Sequence, residues 1–363
     1  MLSIGRGYFA RLIWPTGAGA FRFWLAAVVV IHHFFRIEVG KAPVLVFLAL
    51  SGYWIQKVWP RSYAVTRRPW FTFLVSRWWR IAPMMILSSA LCLAVVYALN
   101  LQAERNAFEA APLRQAFSTV FALGYALLPL RANGPGWSLD IEMQFYILAP
   151  LFIWTVRRYS VAVSLALALA IQQLGLVFVP LPILSLFLPW FVIGMAAAEY
   201  DWKPPQRMAD FSFALAILLV PAVLLSPWHA LLIDFDAPQG VNFNMLLAGL
   251  ALPFALNTAR RRGDTTDRAL ADQSYTIYMV HWAVIDIYRN IAWHDVQTRI
   301  AVAFVWIAVS VLVSHLAWRY VDRPLNRQRQ RWVDARRIGD SAVQPPKADL
   351  PRAKRDDISA SFA

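Results

Sequence analysis

The chain has 363 residues, 59% hydrophobic and 15% charged, with a formal net charge of +14 and a mean hydropathy of +0.48. A water-soluble domain of this size would not stay in solution with so apolar a composition, so an integral membrane protein is expected. The charge does not call for a nucleic-acid partner: the arginines are spread over loop ends beside tryptophans such as Trp70, Trp78 and Trp79, as topology and an anionic lipid bilayer require.

Apolar runs approaching the roughly 20 residues needed to cross a bilayer lie near 20–37, 42–59, 83–101, 142–156, 160–179, 182–200, 211–228, 243–258, 274–292 and 300–319. The fold class expected is therefore an all-α polytopic bundle of about ten transmembrane helices. The stretch FSTVFALGYALLPL at 117–130 is interrupted and is expected to be re-entrant or interfacial. Positive charge alternates between successive connectors. Arg6 and Arg11, the group from Arg61 to Arg80, Arg157 and Arg158, Lys203 and Arg207, the ARRRG run at 259–263 and the tail after Tyr320 share one side, whereas 229–242 has no lysine or arginine. Such loops resist translocation, which assigns the basic side and both termini to the cytoplasm.

Residues 1–19 are then a cytoplasmic lead, 20–325 the membrane domain, and 326–363 a basic tail too poor in apolar residues to bury a core and expected to be disordered. The first apolar run lacks a small-residue cleavage site and is expected to remain as an anchor. The single cysteine, Cys92, lies in an apolar run, cannot form an intrachain disulfide and belongs to no metal-ligand pattern. No phosphate loop and no internal repeat are present.

The first run, FRFWLAAVVVIHHFFRI at 21–37, carries Arg22 and His33. Eleven residues are about 1100° of helical rotation and roughly 16 Å of rise, so both side chains project from nearly one face. Singly, Arg22 reads as a snorkelling interfacial residue and His33 as an interhelical hydrogen-bonding group. Together they suit an anionic donor with a deep-reaching reactive end, the imidazole being the side chain best able to take and return a proton near neutral pH. Arg77 and Arg80 are three apart at the basic edge of the third run, face one way if helical, and can grip phosphate oxygens, the plainer account being topogenic charge. In GPGWSLDIEMQF, Asp140 and Glu142 enter an apolar run, where an unpaired charge costs about 2.5–3.5 kcal/mol. Glu142 is either a structural acid near a helix start, an orienting partner for His33, or a ligand for acceptor hydroxyls. Trp137 and Tyr146 offer faces for stacking on sugar rings, although most of the 17 tryptophans are expected in the membrane belt. His281 fits an interhelical hydrogen bond as well as a catalytic role, and Ser51 and Gly52 fit close helix packing.

Arg22 with ten residues before His33, followed by VFLALSGYWI at 46–55, FLVSRWWRIAP at 73–83, GWSLDIEMQFYILAP at 136–150, FVIGMAAA at 191–198, SYTIYMVHW at 274–282 and RYVDRP at 319–324, resembles the acyltransferase-3 family of membrane O-acyltransferases. The family's Trp-Ser-Leu-x-x-Glu-x-x-Phe-Tyr pattern matches at Trp137, Ser138, Glu142 and Tyr146, and Asp140 adds an acid to it. The resemblance implies transfer of an acyl group, expected to be acetyl, from cytosolic acetyl-CoA as co-substrate to a hydroxyl of a saccharide or glycoconjugate such as an exopolysaccharide or lipid-linked glycan, at the bacterial inner membrane. It implies His33 and Glu142 as catalytic, Arg22, Arg77 and Arg80 as donor-binding, and Trp137, Ser138, Asp140, Tyr146 and His281 as acceptor-binding, with no metal and no bound cofactor. A proton-coupled transporter or flippase is the competing class; it predicts paired halves with internal similarity, which the sequence lacks.

Overall fold

The computed structural model describes residues 14–179, 181–233, 238–261, 263–291 and 295–338. In chain order the helices are α1 (Ala18–Phe35), α2 (Lys41–Val58), α3 (Pro69–Ala98), α4 (Gln102–Ala110), α5 (Pro112–Phe121), α6 (Trp137–Arg158), α7 (Val161–Phe178), α8 (Leu184–Glu199), α9 (Gln206–Leu224), α10 (Ala230–Ile233), α11 (Pro238–Ala259), α12 (Thr265–Arg289), α13 (Val296–Ala317) and α14 (Arg323–Asp334). Among the described residues there is no strand, only an isolated bridge between Thr66 and Arg337. Eight helical segments among the described residues are long and apolar enough to cross a membrane. Of the other expected spans, α8 is apolar but has only 16 residues, and α12 runs for 25 residues with Asp267, Arg268, Asp272, Asp286 and Arg289 along it.

Each expected span is met by a helix, with shifted ends. The third begins at Pro69 rather than near 83, because Pro83 is absorbed inside a helix of 30 residues, about 45 Å long. The interrupted stretch 117–130 is helical to Phe121, then turns at Ala122 (φ 51°) and Gly124 (φ 71°) and re-enters the protein as a 3-10 turn over Tyr125–Leu127 with Tyr125 and Ala126 buried. The C-terminal tail does not begin at 326. Arg323–Asp334 forms α14, and the chain beyond it is tied to the α2–α3 connector by Ile338 N–H donating to Val65 O at 2.9 Å and Arg67 N–H to Arg336 O at 3.3 Å. Residues 1–13 and 339–363 lie outside the described residues.

Burial separates core from periphery: 72% of the apolar window of α2 is buried against 17% for α7 and 22% for α9. Side chains that suit lipid therefore coat α7 and α9, and α2 is the central helix. It lies directly against α8, since a Cβ on Gly194 would come 1.8 Å from Ala49 O and one on Gly52 would come 2.1 Å from Phe191 O. Without side chains there, the two backbones touch, as small residues allow in membrane helices, and Ser51 is turned toward α6.

Helix ends inside the bundle are satisfied by neighbouring helices. The first turn of α1 has no side-chain cap of its own; instead Asp267 of α12 accepts from Gly19 N–H at 3.1 Å and Ala20 N–H at 2.9 Å. This carboxylate serves the orphan donors and the positive end of the helix dipole together. A Cβ on Gly19 would come 1.7 Å from Asp267 O, so α1 and α12 are locked in register where Arg22 enters the bundle. At the other end Asn244 of α11 accepts from Ala42 N–H at 2.9 Å and donates to Glu38 O at 2.8 Å, joining the start of α2 to the loop before it. The basic connectors gather at one end of the bundle: Arg157 meets Glu199 at 3.6 Å, and Arg260 meets Asp201 at 2.6 Å.

Candidate active site

At the arginine-rich end α1, α2, α3, α6 and α12 surround a cavity of about 320 Å³. Arg22, held one turn into α1, projects into it, and among the described residues its guanidinium makes no hydrogen bond or ion pair. Arg77 and Arg80 share the face of α3 that lines the same cavity, as a spacing of three predicts. Their partners differ. Arg80 Nη1 donates to both oxygens of Asp322, at 2.7 and 2.9 Å, with Asp272 3.9 Å from Nη2 and the ring of Tyr275 4.7 Å below. Arg77 Nη2 donates to the Tyr63 hydroxyl at 3.1 Å, and its buried Nε has no partner among the described residues.

Glu142 lies opposite these cations on α6. Its Oε1 accepts from Ser51 Oγ at 2.7 Å and from the hydroxyl of Tyr146 one turn further along. It is the carboxylate whose charge acts on both Arg22 and Arg77. A half-buried acid facing two guanidiniums and bonded to two hydroxyl donors meets the cost of intramembrane charge locally. Glu142 is therefore held by Ser51 and Tyr146 facing the arginines, and does not pair with His33.

His33 does not line this cavity. The inner wall is closed by Tyr278, whose hydroxyl lies 2.7 Å from Ser138 Oγ and 3.2 Å from Pro135 O. Beyond it the ring of His281 is 6.4 Å from that of Tyr278, and His33 stacks on His281 with centroids 5.4 Å apart at 26°. Trp282 meets His33 edge-on at 4.9 Å, and Arg289 lies 5.1 Å from the Trp282 ring. His281 is fully buried. Its Nδ1 is 3.0 Å from Ile277 O; a carbonyl can only accept, so Nδ1 carries the proton and Nε2, buried without a partner, presents a bare lone pair. His33 remains partly accessible, and among the described residues its ring has aromatic neighbours but no hydrogen bond.

Two of the expected acceptor contacts stand away from both places. Asp140 is fully buried, accepting from Ala126 N–H at 2.8 Å and from Gln144 Nε2 at 2.9 Å; it holds the 3-10 turn against α6. Trp137 packs on Phe187 with ring centroids 5.4 Å apart. Ser138 and Tyr146 do line the cavity. Sequence reasoning missed Ser51 as a partner of the acid, Tyr278 as the partition and Asp322 as the counter-ion of Arg80. Asp322 and Tyr278 sat in quoted motifs, RYVDRP and SYTIYMVHW, whose partners are remote in the chain.

A family model described as an acyltransferase domain, of the acyltransferase-3 type, matches residues 17–319. Comparison with curated proteins and with solved structures returned no match.

Proposed function

The chain belongs to the acyltransferase-3 family of membrane acyltransferases, and on that footing we propose that it transfers an acyl group, acetyl first among the candidates, from cytosolic acyl-CoA to a hydroxyl of a saccharide or glycoconjugate at the bacterial inner membrane. The donor enters at the arginine-rich end and the acceptor from the opposite face. The observation that carries this reading is the order of groups from the arginine-rich end inward: Arg22 and Arg77 beside Glu142 in a cavity, then Tyr278 with Ser138, then His281 and His33. Phosphate-binding cations and proton-accepting imidazoles are thus separated by roughly the 16 Å between Arg22 and His33 on one helix, a distance suited to a phosphorylated donor with a long thioester arm. Tyr278 must turn aside for the arm to pass.

His33 takes the proton of the acceptor hydroxyl as its oxygen attacks the thioester carbonyl carbon. The carbon–sulfur bond breaks, and the departing thiolate receives the proton back from the imidazolium. His281, whose ring stacks on that of His33 and whose Nε2 has no partner among the described residues, is the neighbouring base that holds or relays that proton. Arg22 and Arg77 hold donor phosphates, whereas Arg80, occupied by Asp322, positions α3. An acyl-histidine intermediate is distinguished from direct transfer by exposing the protein to labelled donor alone and probing for acyl-imidazole.

The test is complementation of a deletion strain with His33→Ala, reading O-acyl groups on surface and secreted glycans. Loss of acylation with normal membrane insertion is expected. Unchanged acylation by folded variant protein overturns the reading.

A further inference from the structure

A second cavity, of about 300 Å³, lies at the arginine-rich end between the π-helical turn Trp59–Tyr63, the first turns of α3 and the C-terminal helix α14. Val58 and Arg77 line both this cavity and the first, so the two are consecutive chambers with Arg77 in the dividing wall. The second holds three guanidiniums, of Arg77, Arg329 and Arg337, and one carboxylate, Asp334. That carboxylate is engaged by Arg337 at 3.3 Å. Among the described residues Arg329 has only neutral acceptors: Nη1 donates to Ser76 Oγ at 2.7 Å, and Nη2 and Nε to Asn326 Oδ1 at 2.7 and 3.0 Å. Arg77 likewise leans on the Tyr63 hydroxyl and leaves its Nε buried without a partner.

Two cations are therefore fixed in place by bonds to neutral groups, and among the described residues the one carboxylate lining this chamber is already engaged by Arg337. Fixing a guanidinium with hydroxyl and amide oxygens removes conformational freedom but not charge, so the site is preorganised for an anion with several oxygens. Helix α14 cannot drift away from it, since the backbone bonds at Arg67 and Ile338 fasten its end to the α2–α3 connector.

The geometry points to the chamber under α14 as the binding site for the phosphorylated nucleotide end of the acyl donor, with Arg329 and Arg337 as ligands of its 3′-phosphate and the first cavity left to the diphosphate at Arg22 and the thioester arm. This rests on the acyl-CoA reading above and adds to it two residues and a helix beyond the matched region, which ends at 319. The shared chemistry is a phosphate oxyanion, which a phosphatidylglycerol headgroup also offers.

The experiment is direct binding of coenzyme A and of its 3′-dephospho form to the full chain in phosphatidylcholine nanodiscs. Wild type is compared with Arg329→Gln, which retains an amide donor toward Ser76 and Asn326, and with Arg337→Gln at the half-exposed edge. Each variant is expected to weaken coenzyme A binding at least ~10-fold, in keeping with loss of one charge-assisted contact, and to flatten its salt dependence. Wild-type affinity in both folded variants overturns the inference and leaves the acyl-CoA reading standing. No binding to wild type overturns the acyl-CoA reading itself. Displacement of coenzyme A by phosphatidylglycerol that vanishes in Arg329→Gln assigns the chamber to lipid and likewise overturns the inference.

Discussion

Asp322→Asn and Arg80→Gln, alone and combined, separate a structural role for Arg80 from a ligand-binding one. The guanidinium is 22% accessible and the carboxylate 5%, so the pair is largely removed from water, and one nitrogen donates to both oxygens at 2.7 and 2.9 Å. Removing one member of a buried pair typically costs about 3–5 kcal/mol, because the other charge is left uncompensated. Arg80 keeps some hydration from the cavity and the cation–π contact with Tyr275, and asparagine still offers one acceptor. Each single variant should therefore lose about 2–3 kcal/mol. In the double variant neither member of the buried pair is stranded, and the more exposed Asp272 loses only what it already loses in Arg80→Gln, so the loss should fall short of the sum by about 2 kcal/mol. Thermal or denaturant unfolding in detergent micelles, with tryptophan fluorescence as the signal, measures the three differences. Donor affinity of the folded fraction should change little in Asp322→Asn. Additive losses, or a neutral Asp322→Asn, would refute the pairing as the reason Arg80 is where it is, and would return the residue to donor binding.

Other expectations test different joints of the bundle. Gly194→Ala puts a methyl 1.8 Å from Ala49 O, which neither helix can accommodate without separating; a loss of at least ~1–3 kcal/mol should show as a lower unfolding midpoint, and an unchanged midpoint contradicts backbone contact between α2 and α8. Asp267→Ala strips the acceptor from Gly19 and Ala20 and should cost about 1–2 kcal/mol, together with weaker donor binding through a displaced Arg22; full donor affinity would show that Arg22 does not depend on this cap. Tyr278→Ala removes the partition between the cavity and His281 and should raise donor hydrolysis in the absence of acceptor several-fold, read as thiol release. If hydrolysis stays at the wild-type level, Tyr278 is not the barrier.

How much was legible in the sequence follows from the range over which each feature acts. Helix formation and membrane partition depend on contiguous residues, so apolar length and the alternation of arginines sufficed for an all-helical membrane bundle and for its basic end. Local spacing also placed Arg77 and Arg80 on one face. Where a helix began was less legible, as at Pro69 and Trp137, because propensity there is overridden by packing. The tail was misread from 326 to 338 for the same reason: its composition is that of a disordered segment, but α14 finds its partners on α3 and the α2–α3 connector.

The composition and motifs by themselves determined what kind of molecule this is and which polar groups are buried at a cost. Only the tertiary structure decided how each of those groups is satisfied. The family pattern sets Glu142 apart from Asp140 two residues earlier, but does not say what each does: Asp140 holds a backbone turn and Glu142 faces the arginines. Nor could helical spacing along α1 reveal that Tyr278 and His281, more than 240 residues away, would stand between Arg22 and His33. A buried charge or lone pair takes its meaning from the groups within a few ångströms, and those groups are brought there by packing between helices remote in the chain.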